Sequence, residues 1–301
     1  MKLSYQTKLF TALGLVYVVW GSTYLGVKLA LHVFPPLLLT AVRFLIGGGL
    51  LFAFTVWRGA GLPTKEQLIG ASKLGVFLSG VGTGAVAFAI GYVPSGIVAL
   101  LVATLPLWTF LLDFFFFSRS KPSLLSGIGL LLGIVGMVFL LNPFEHSVEH
   151  AIPFWPTLVV FVGSISWSYG SLISYNTPQP AAVQSTAVQM FAGGVFALFL
   201  SIILENDHLG VLQRVDRQAF WALAYLIFIG SYVGYTAYVW LMNNAPPLLT
   251  STYAYINPVV ALFLGWFFVD ELLDFQTVVA SAIIVSGVVL MTLGRKKGRT
   301  E

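Results

Sequence analysis

The sequence predicts an all-α membrane protein with ten transmembrane helices, arranged as two inverted repeats of five helices. Charged residues make up only 9% of its 301 residues and hydrophobic residues 58%, whereas soluble domains contain about 25% charged residues. Ten apolar stretches are each long enough to cross a bilayer core about 30 Å thick, which takes about 20 helical residues. The second five stretches also resemble the first five.

Short loops rich in turn-forming residues separate the predicted spans. Breaks such as Phe34-Pro35-Pro36 and Ala245-Pro246-Pro247 are typical of turns and helix starts. Only the loops near 58–67, 143–153 and 205–218 reach ten residues, so function is expected among the helices. The predicted spans are 9–31, 36–57, 68–91, 95–117, 124–142, 154–175, 182–204, 219–242, 247–269 and 275–293.

Lysine and arginine predict the orientation in the membrane. With a cytoplasmic N-terminus, eleven of the fifteen lie on the inner side and two, Arg214 and Arg217, on the outer side. This positive-inside bias predicts an inner (plasma) membrane protein with both termini in the cytoplasm. The basic residues form no stripe or run, so we expect no nucleic-acid partner. The expected partners are a small-molecule substrate and membrane lipid, with the chain working as a monomer.

An internal repeat divides the chain into the predicted halves 1–145 and 146–301. The matched features are the prolines Pro94/Pro106 and Pro246/Pro258, each pair twelve residues apart, the glycines Gly80/Gly84 and Gly230/Gly234, and the stretches RFLIGG (43–48) and QMFAGG (189–194). Because five helices is an odd number, the second half inserts upside down. Such inverted repeats are typical of secondary transporters, whose substrate sites lie near the membrane midplane between the repeats.

Ionisable residues inside spans are costly and therefore candidates for function. Arg43 lies some 10 Å into the second span at 1.5 Å per residue. It could hold an anionic group or cap carbonyls of a neighbouring helix. Lys28 lies near a span end, where it could snorkel to the interface. Asp113, in the fourth span, is the candidate for proton coupling, with a salt bridge at the membrane surface as the alternative.

A second set of candidates combines aromatic rings with hydroxyl and amide groups inside the spans. The OH and NH groups of buried Tyr and Trp need partners, so these side chains tend to face a cavity or another helix. A cavity walled by rings and a few polar groups suits a flat or amphipathic organic solute; helix packing is the alternative. With Arg43, the predicted substrate-binding residues are Trp20, Tyr24, Phe88, Trp108, Trp167, Ser171, Tyr235, Ser251, Tyr255 and Asn257.

Pro106 and Pro258 are predicted in mid-helix, where a proline removes a backbone hydrogen bond and kinks the helix. Their matched placement predicts paired hinges, with fixed kinks as the alternative. Other functional patterns are missing from the sequence. It has no cysteine, its four histidines fall in predicted loops, and HExxH, nucleophile-elbow and phosphate-loop patterns do not occur. We therefore expect no enzyme activity, no cofactor and no metal.

Four stretches resemble helices of the EamA-type exporters in the drug/metabolite transporter superfamily. They are VVWGSTYLGVKLAL (18–31), RFLIGGGLL (43–51), GIVALLVATLPLWTFLLD (96–113) and STYAYINPVVALFLGWFFVDE (251–271). The resemblance covers essentially the whole chain, and the last stretch is its most specific part. It implies a central cavity among helices 1, 3, 4, 6, 8 and 9. Members with aromatic amino acid substrates can carry a histidine in the third helix; this chain has Gly82, Gly84 and Phe88 there instead.

The sequence thus predicts a secondary transporter that exports small organic solutes (amino acids, metabolites or drugs) across the plasma membrane by alternating access. The alternative is an uncoupled solute facilitator or a channel. Neither the substrate nor proton coupling follows from the sequence.

Overall fold

The computed structural model describes residues 4–117, 123–141, 153–206, 208–245 and 252–294, and these residues form helices and no strand. The helices are α1 (Tyr5–Ala30), α2 (Pro36–Trp57), α3 (Lys65–Ile90), α4 (Ser95–Phe116), α5 (Leu124–Leu141), α6 (Phe154–Ser174), α7 (Ala182–Leu204), α8 (consecutive segments Arg217–Ala224, Tyr225–Val233 and Gly234–Asn244), α9 (Tyr253–Val269) and α10 (Phe275–Gly294), with a short helix, His208–Arg214, before α8.

The all-α membrane class is confirmed, and one helix lies in each predicted span. Nine of the described helices are long and apolar enough to cross a bilayer, and the described part of α9 is a shorter apolar helix. Helix ends differ from the predicted span ends because hydropathy marks the bilayer and not the backbone. α3, for example, begins at Lys65, where Thr64 and Gln67 form a reciprocal capping box that satisfies free N–H groups of the first turn.

The described helices group into two compact units, and each unit draws on both halves of the sequence. Unit 1 contains α4, α5, α9 and α10, with α1 up to Leu25 and α8 from Tyr232. Unit 2 contains α2, α3 and α7, with α6 from Leu158, the end of α1 from Gly26 and α8 up to Ser231. The sequence boundary at 145/146 stays a prediction.

In unit 2, α2 packs along α7 through the two glycine stretches that match in the repeat. A Cβ on Gly48 would lie 2.5 Å from the Phe191 nitrogen, and a Cβ on Gly194 would lie 2.8 Å from the Leu45 nitrogen. Each glycine therefore lets its helix touch the backbone of the other. Close approach at small residues is how helices associate where lipid removes the hydrophobic drive.

Unit 1 repeats this arrangement with α5 packed on α10 and α4 packed on α9. A Cβ on Gly129 would lie 2.5 Å from the Gly287 carbonyl oxygen, and a Cβ on Gly287 would lie 2.7 Å from the Gly129 carbonyl oxygen. Three helix pairs of the two units, α2/α7, α4/α9 and α5/α10, each join a helix to its repeat equivalent, and α3 also packs on α7. Gly129 thus serves contact within the chain.

Two glutamates cap helix N-termini, one in each unit. In unit 2 the Glu205 carboxylate accepts from the N–H groups of Leu37 at 2.7 Å and Leu38 at 2.9 Å. In unit 1 the Glu271 carboxylate accepts from the Ser95 N–H at 2.7 Å and the Gly96 N–H at 3.2 Å. A carboxylate at this position satisfies free N–H groups and complements the helix dipole. Glu205 follows α7 and caps the N-terminus of its partner α2, and Glu271 follows α9 and caps the N-terminus of its partner α4.

α3 and α8 each contain a π-helical segment at the same place in the repeat. The segments are Val76–Thr83 and Tyr225–Val233, and each ends immediately before the second glycine of its pair, Gly84 or Gly234. In both, a hydroxyl donates to the carbonyl five residues earlier: Thr83 to Leu78 at 3.4 Å and Ser231 to Leu226 at 3.0 Å. π-helical turns are rare and occur frequently at functional sites.

Candidate functional site

In unit 1, three aromatic rings from α1, α8 and α9 form a cluster. The ring centroids of Trp20 and Tyr238 are 5.0 Å apart, those of Trp20 and Tyr253 5.1 Å, and those of Tyr238 and Tyr253 5.5 Å. One turn earlier on α1, the Tyr17 hydroxyl is hydrogen bonded to the Thr252 hydroxyl. The tilted and edge-to-face geometries are those that aromatic pairs favour.

Glycines make room for neighbouring side chains in this region. A Cβ on Gly234 would lie 2.5 Å from Trp20 Nε1, and a Cβ on Gly21 would lie 2.7 Å from the Val260 side chain. The second glycine of the α8 pair therefore makes room for the Trp20 indole. This contact is a reason for glycine at that position which the sequence alone does not reveal.

Asn257 carries a buried polar atom without a partner. Its side-chain oxygen Oδ1 has no hydrogen-bond partner among the described residues. The next residue, Pro258, lies inside α9 and has no N–H to donate to the Ala254 carbonyl four residues earlier. Hydrogen-bond acceptors are therefore in excess in this turn. A buried unpaired acceptor costs about 1–3 kcal/mol, so it needs a functional or structural reason.

The two matched prolines take different local structures. α4 is interrupted at Ala103 and Thr104, and Pro106 falls in the first turn of the segment that follows, Leu105–Phe116. Thr104 fills the break, since its hydroxyl donates to the Leu101 carbonyl at 2.5 Å and accepts from Trp108 Nε1 at 3.1 Å. Pro106 is thus at a helix start and not in mid-helix as expected. Trp108 uses its N–H inside α4.

In unit 2, Trp167 lies on α6 against a glycine of α3. The indole is 39% exposed, and a Cβ on Gly82 would lie 2.9 Å from its Cε3 atom. Ser171 donates to the Trp167 carbonyl at 2.8 Å, so its hydroxyl is engaged within α6. The Phe88 ring contacts Tyr92 of the same helix, with centroids 5.0 Å apart. The Trp167 ring is therefore more exposed than the Phe88 ring.

The two cations predicted inside spans have different surroundings in unit 2. The Lys28 ammonium donates to the Ile90 carbonyl at the end of α3 at 3.4 Å, a long contact at the helix end where a cation is favoured. Arg43 is 9% exposed, and its Nε and Nη2 atoms both lie 3.4 Å from the Ser231 hydroxyl. Within the described ranges, no carboxylate lies within salt-bridge distance of Arg43.

The remaining predicted residues show fewer contacts that bear on a binding site. Tyr24, Tyr235, Tyr255 and Asp113 are partly buried, and Asp113 has an interaction with another group. Ser251 lies outside the described residues. Among the residues that the structure describes, no three His, Cys, Asp or Glu side chains are grouped so that they could hold a metal ion.

The structure groups the candidates by unit and adds some that the sequence reasoning missed. Tyr238 and Tyr253 contact Trp20, although Tyr235 and Tyr255 were predicted. Ser231, next to Arg43, was not predicted at all. The tyrosines recur at every third position of α8 (232, 235 and 238), which indicates a stripe but not the member that meets α1. In the sequence, only the matched glycine pairs indicated that these parts of α3 and α8 are unusual. Ser231 lies within the π-helical segment of α8, next to the first glycine of its pair.

Apolar membrane-crossing helices, joined in repeat-related pairs and carrying buried polar and aromatic groups, define a multi-pass membrane transport protein. The chain belongs to the EamA-like transporter family, whose model matches residues 9–142 and again residues 154–293. The resemblance found in the sequence is thereby confirmed, and the protein is a transporter and not an enzyme.

Similar proteins agree with this assignment. An inner membrane transporter of Escherichia coli (strain K12), YedA, is 36% identical over 288 residues, covering 95% of this chain and 91% of YedA. A Salmonella typhimurium protein named "Probable amino-acid metabolite efflux pump" is 28% identical over 297 residues, covering 95% of each chain. A protein of known crystal structure, 20% identical, matches with a TM-score of 0.63 over 96% of this chain and 98% of its own, which shows a shared fold.

Proposed function

We propose that this transporter exports small organic solutes, of the amino acid, metabolite or drug class, across the plasma membrane by alternating access. The observation that carries the mechanism is the pair of π-helical segments at matching positions of α3 and α8. Each segment adjoins a close glycine contact. α3 packs on α7 where a Cβ on Gly80 would lie 2.8 Å from Phe196, and α8 packs on α1 at Gly234.

A π-helical turn supports such a mechanism because it can convert to α-helix by a shift of one residue. The carbonyls of Leu78 and Leu226 already accept hydrogen bonds from the Thr83 and Ser231 hydroxyls. These two carbonyls can therefore stay hydrogen bonded while the backbone changes between π-helical and α-helical hydrogen bonding. In an inverted repeat, the segment of one half can change from π-helix to α-helix while the equivalent segment of the other half makes the opposite change. Exchange of this kind between repeats produces outward-open and inward-open states.

The side chains available for binding favour an amphipathic organic solute. Trp167 offers an accessible ring in unit 2, and Asn257 offers a buried acceptor in unit 1. Rings with a few placed polar groups are typical of small-molecule sites. The name of the Salmonella typhimurium relative also supports amino acids and their metabolites. Asp113 stays the candidate for proton coupling.

Counterflow in proteoliposomes tests the proposal. Vesicles are preloaded with pooled unlabelled amino acids and related metabolites, and the uptake of each labelled solute is followed with and without a pH gradient. We expect saturable exchange of one solute class. Trp167→Ala should lower it at least tenfold, and Trp57→Ala should not, because Trp57 is 78% exposed at the end of α2. Loss of a pH effect in Asp113→Asn would identify the coupling group.

The outcomes separate the alternatives. Saturable counterflow whose rate does not change with the pH gradient indicates an uncoupled facilitator. Flux that does not saturate and shows no counterflow indicates a channel and contradicts alternating access. Equal exchange by the two tryptophan variants would remove Trp167 from the binding site.

A further inference from the structure

Arg43 is a charged group whose burial the fold does not explain. It lies on α2, in a segment apolar enough to cross the membrane, and it is more than nine-tenths buried. Removing an ion from water costs several kcal/mol unless a counter-charge and hydrogen bonds compensate. The described ranges place no carboxylate within 4.0 Å of the guanidinium. By contrast, Lys28 of the same unit lies at a helix end, where a cation is favoured.

The hydrogen bonds of Arg43 leave much of its donor capacity unused. A guanidinium has five N–H donors, and Nε and Nη2 share one acceptor, the Ser231 hydroxyl, at 3.4 Å each. Ser231 gives its own proton to the Leu226 carbonyl, so its lone pairs face the guanidinium. The Phe44 ring lies beside the guanidinium, with its centroid 5.0 Å from Arg43 Cζ, and provides no stronger acceptor.

The third nitrogen, Nη1, has no partner among the described residues, and it is not one of the buried unpaired atoms. Nη1 therefore keeps some exposed surface, although Arg43 as a whole is buried. The edge of the guanidinium formed by Nη1 and Nη2 is the edge that a carboxylate binds in a two-point hydrogen-bonded pair. Arg43 thus has the burial of a structural residue and the open donor edge of a binding residue.

We propose that Arg43 binds a carboxylate of the transported solute, with Ser231 orienting the guanidinium. This inference rests on the proposed export function and narrows its substrate to organic monoanions and zwitterions. One guanidinium compensates one negative charge, and the Lys28 ammonium is directed to a helix carbonyl. A dianionic phosphate would therefore keep one charge uncompensated. Because Ser231 belongs to the π-helical segment of α8, a rearrangement of that segment would move the Arg43 partner.

The test compares each amino acid of the counterflow panel with its carboxamide, which has nearly the same shape but no charge on the former carboxylate. We expect the wild-type protein to exchange the acid at least tenfold faster than the amide. Arg43→Gln should lower exchange of the acid at least tenfold and bring the acid-to-amide ratio close to one. Arg43→Lys keeps the charge but not the two-point geometry. Its rate of acid exchange should lie between those of the wild-type protein and Arg43→Gln.

Lys28→Gln is the matched control, since it removes the other cation of the unit and should keep the preference for acids. Thermal unfolding in detergent reports whether each variant folds. If Arg43→Gln does not fold, the acid-to-amide ratio of the wild-type protein decides, and a ratio near one overturns the inference. Saturable exchange without a preference for acids overturns this inference and leaves the export proposal standing. Absence of any exchange overturns both.

Discussion

At the residue scale, the polar groups inside the helices divide into those that the fold satisfies and those that it leaves open. Thr104, Ser171 and Glu271 have all found backbone or side-chain partners within their own unit. Arg43 has a single distant acceptor, the Ser231 hydroxyl, for its five N–H donors, and the Asn257 oxygen has no partner among the described residues. Buried polar groups are nearly always paired, so these two exceptions are the strongest residue-level indications of a binding function.

His32 and Asp216 form an exposed pair in unit 2 whose contribution to stability depends on pH. His32 Nε2 lies 2.9 Å from the Asp216 carboxylate, and this hydrogen bond raises the pKa of His32. The N–H of Ala219 at the α8 N-terminus, and then His32, lower the pKa of Asp216. Asp216 stabilises the fold above its unfolded pKa, near 4. His32 stabilises it fully below its unfolded pKa, near 6.5, and loses this effect as pH rises through the raised value.

Asp216→Asn should therefore lower the melting temperature in detergent slightly more at pH 5.5 than at pH 8.0. Asn is as good an N-cap as Asp, so the helix start is preserved, while the negative charge and the oxygen that faces His32 are lost. Asp274→Asn is the control, because Asp274 accepts from the Thr277 N–H at the start of α10 and no described histidine pairs with it. A difference between wild type and Asp216→Asn that does not change with pH would contradict the coupling.

At the element scale, glycine decides which helices touch. The apolar helices are hydrophobic on most faces, so hydrophobicity itself selects no partner for them in lipid. Gly48 and Gly194 permit backbone contact between α2 and α7, and Gly129 and Gly287 do the same for α5 and α10. The repeat therefore appears in the structure as pairs of equivalent helices that approach closely at glycines, and in α2 and α7 these glycines also match in the sequence.

Two adjacent glycines of α2 test this role. Gly48→Ala adds a Cβ 2.5 Å from the Phe191 nitrogen, so a backbone must move. We expect a loss of about 1–3 kcal/mol, typical of overpacking. Gly49→Ala meets nothing closer than the Phe191 ring at 3.9 Å, and it should be neutral or raise stability by up to about 1 kcal/mol through helix propensity. Thermal unfolding in detergent measures both, and equal effects would show that α2 does not depend on this contact.

At the scale of the whole molecule, the protein is a multi-pass membrane transporter, and its charges predict its orientation. Eleven of fifteen Lys and Arg residues fall on the side predicted to be cytoplasmic. The bias is carried mainly by the first half and the C-terminal tail. Monomeric function is likewise a prediction. The glycine contacts described above lie within one chain and do not join two copies of it.

Because the sequence has no cysteine, single cysteines can report the orientation directly. Glu66 and Gln213 are exposed residues near opposite predicted faces. In right-side-out vesicles, a membrane-impermeant thiol reagent should label Gln213→Cys and not Glu66→Cys. Inside-out vesicles should give the reverse, and labelling after solubilisation is the control for reactivity. The opposite pattern would place both termini outside and reverse the direction of the positive-inside bias.

The sequence by itself determined the class, the helices and the repeat, because these depend on composition and spacing along the chain. A bilayer demands long apolar helices, and matched glycines and prolines reveal a duplication without any coordinates. The tertiary structure decided which member of each set is used: Tyr238 and Tyr253 in the Trp20 cluster, Ser231 beside Arg43, and a helix break before Pro106 but not before Pro258. The physical reason is that a helix surrounded by lipid and other apolar helices has no polar face to reveal its rotation. Only packing against neighbouring backbones sets which side chains meet.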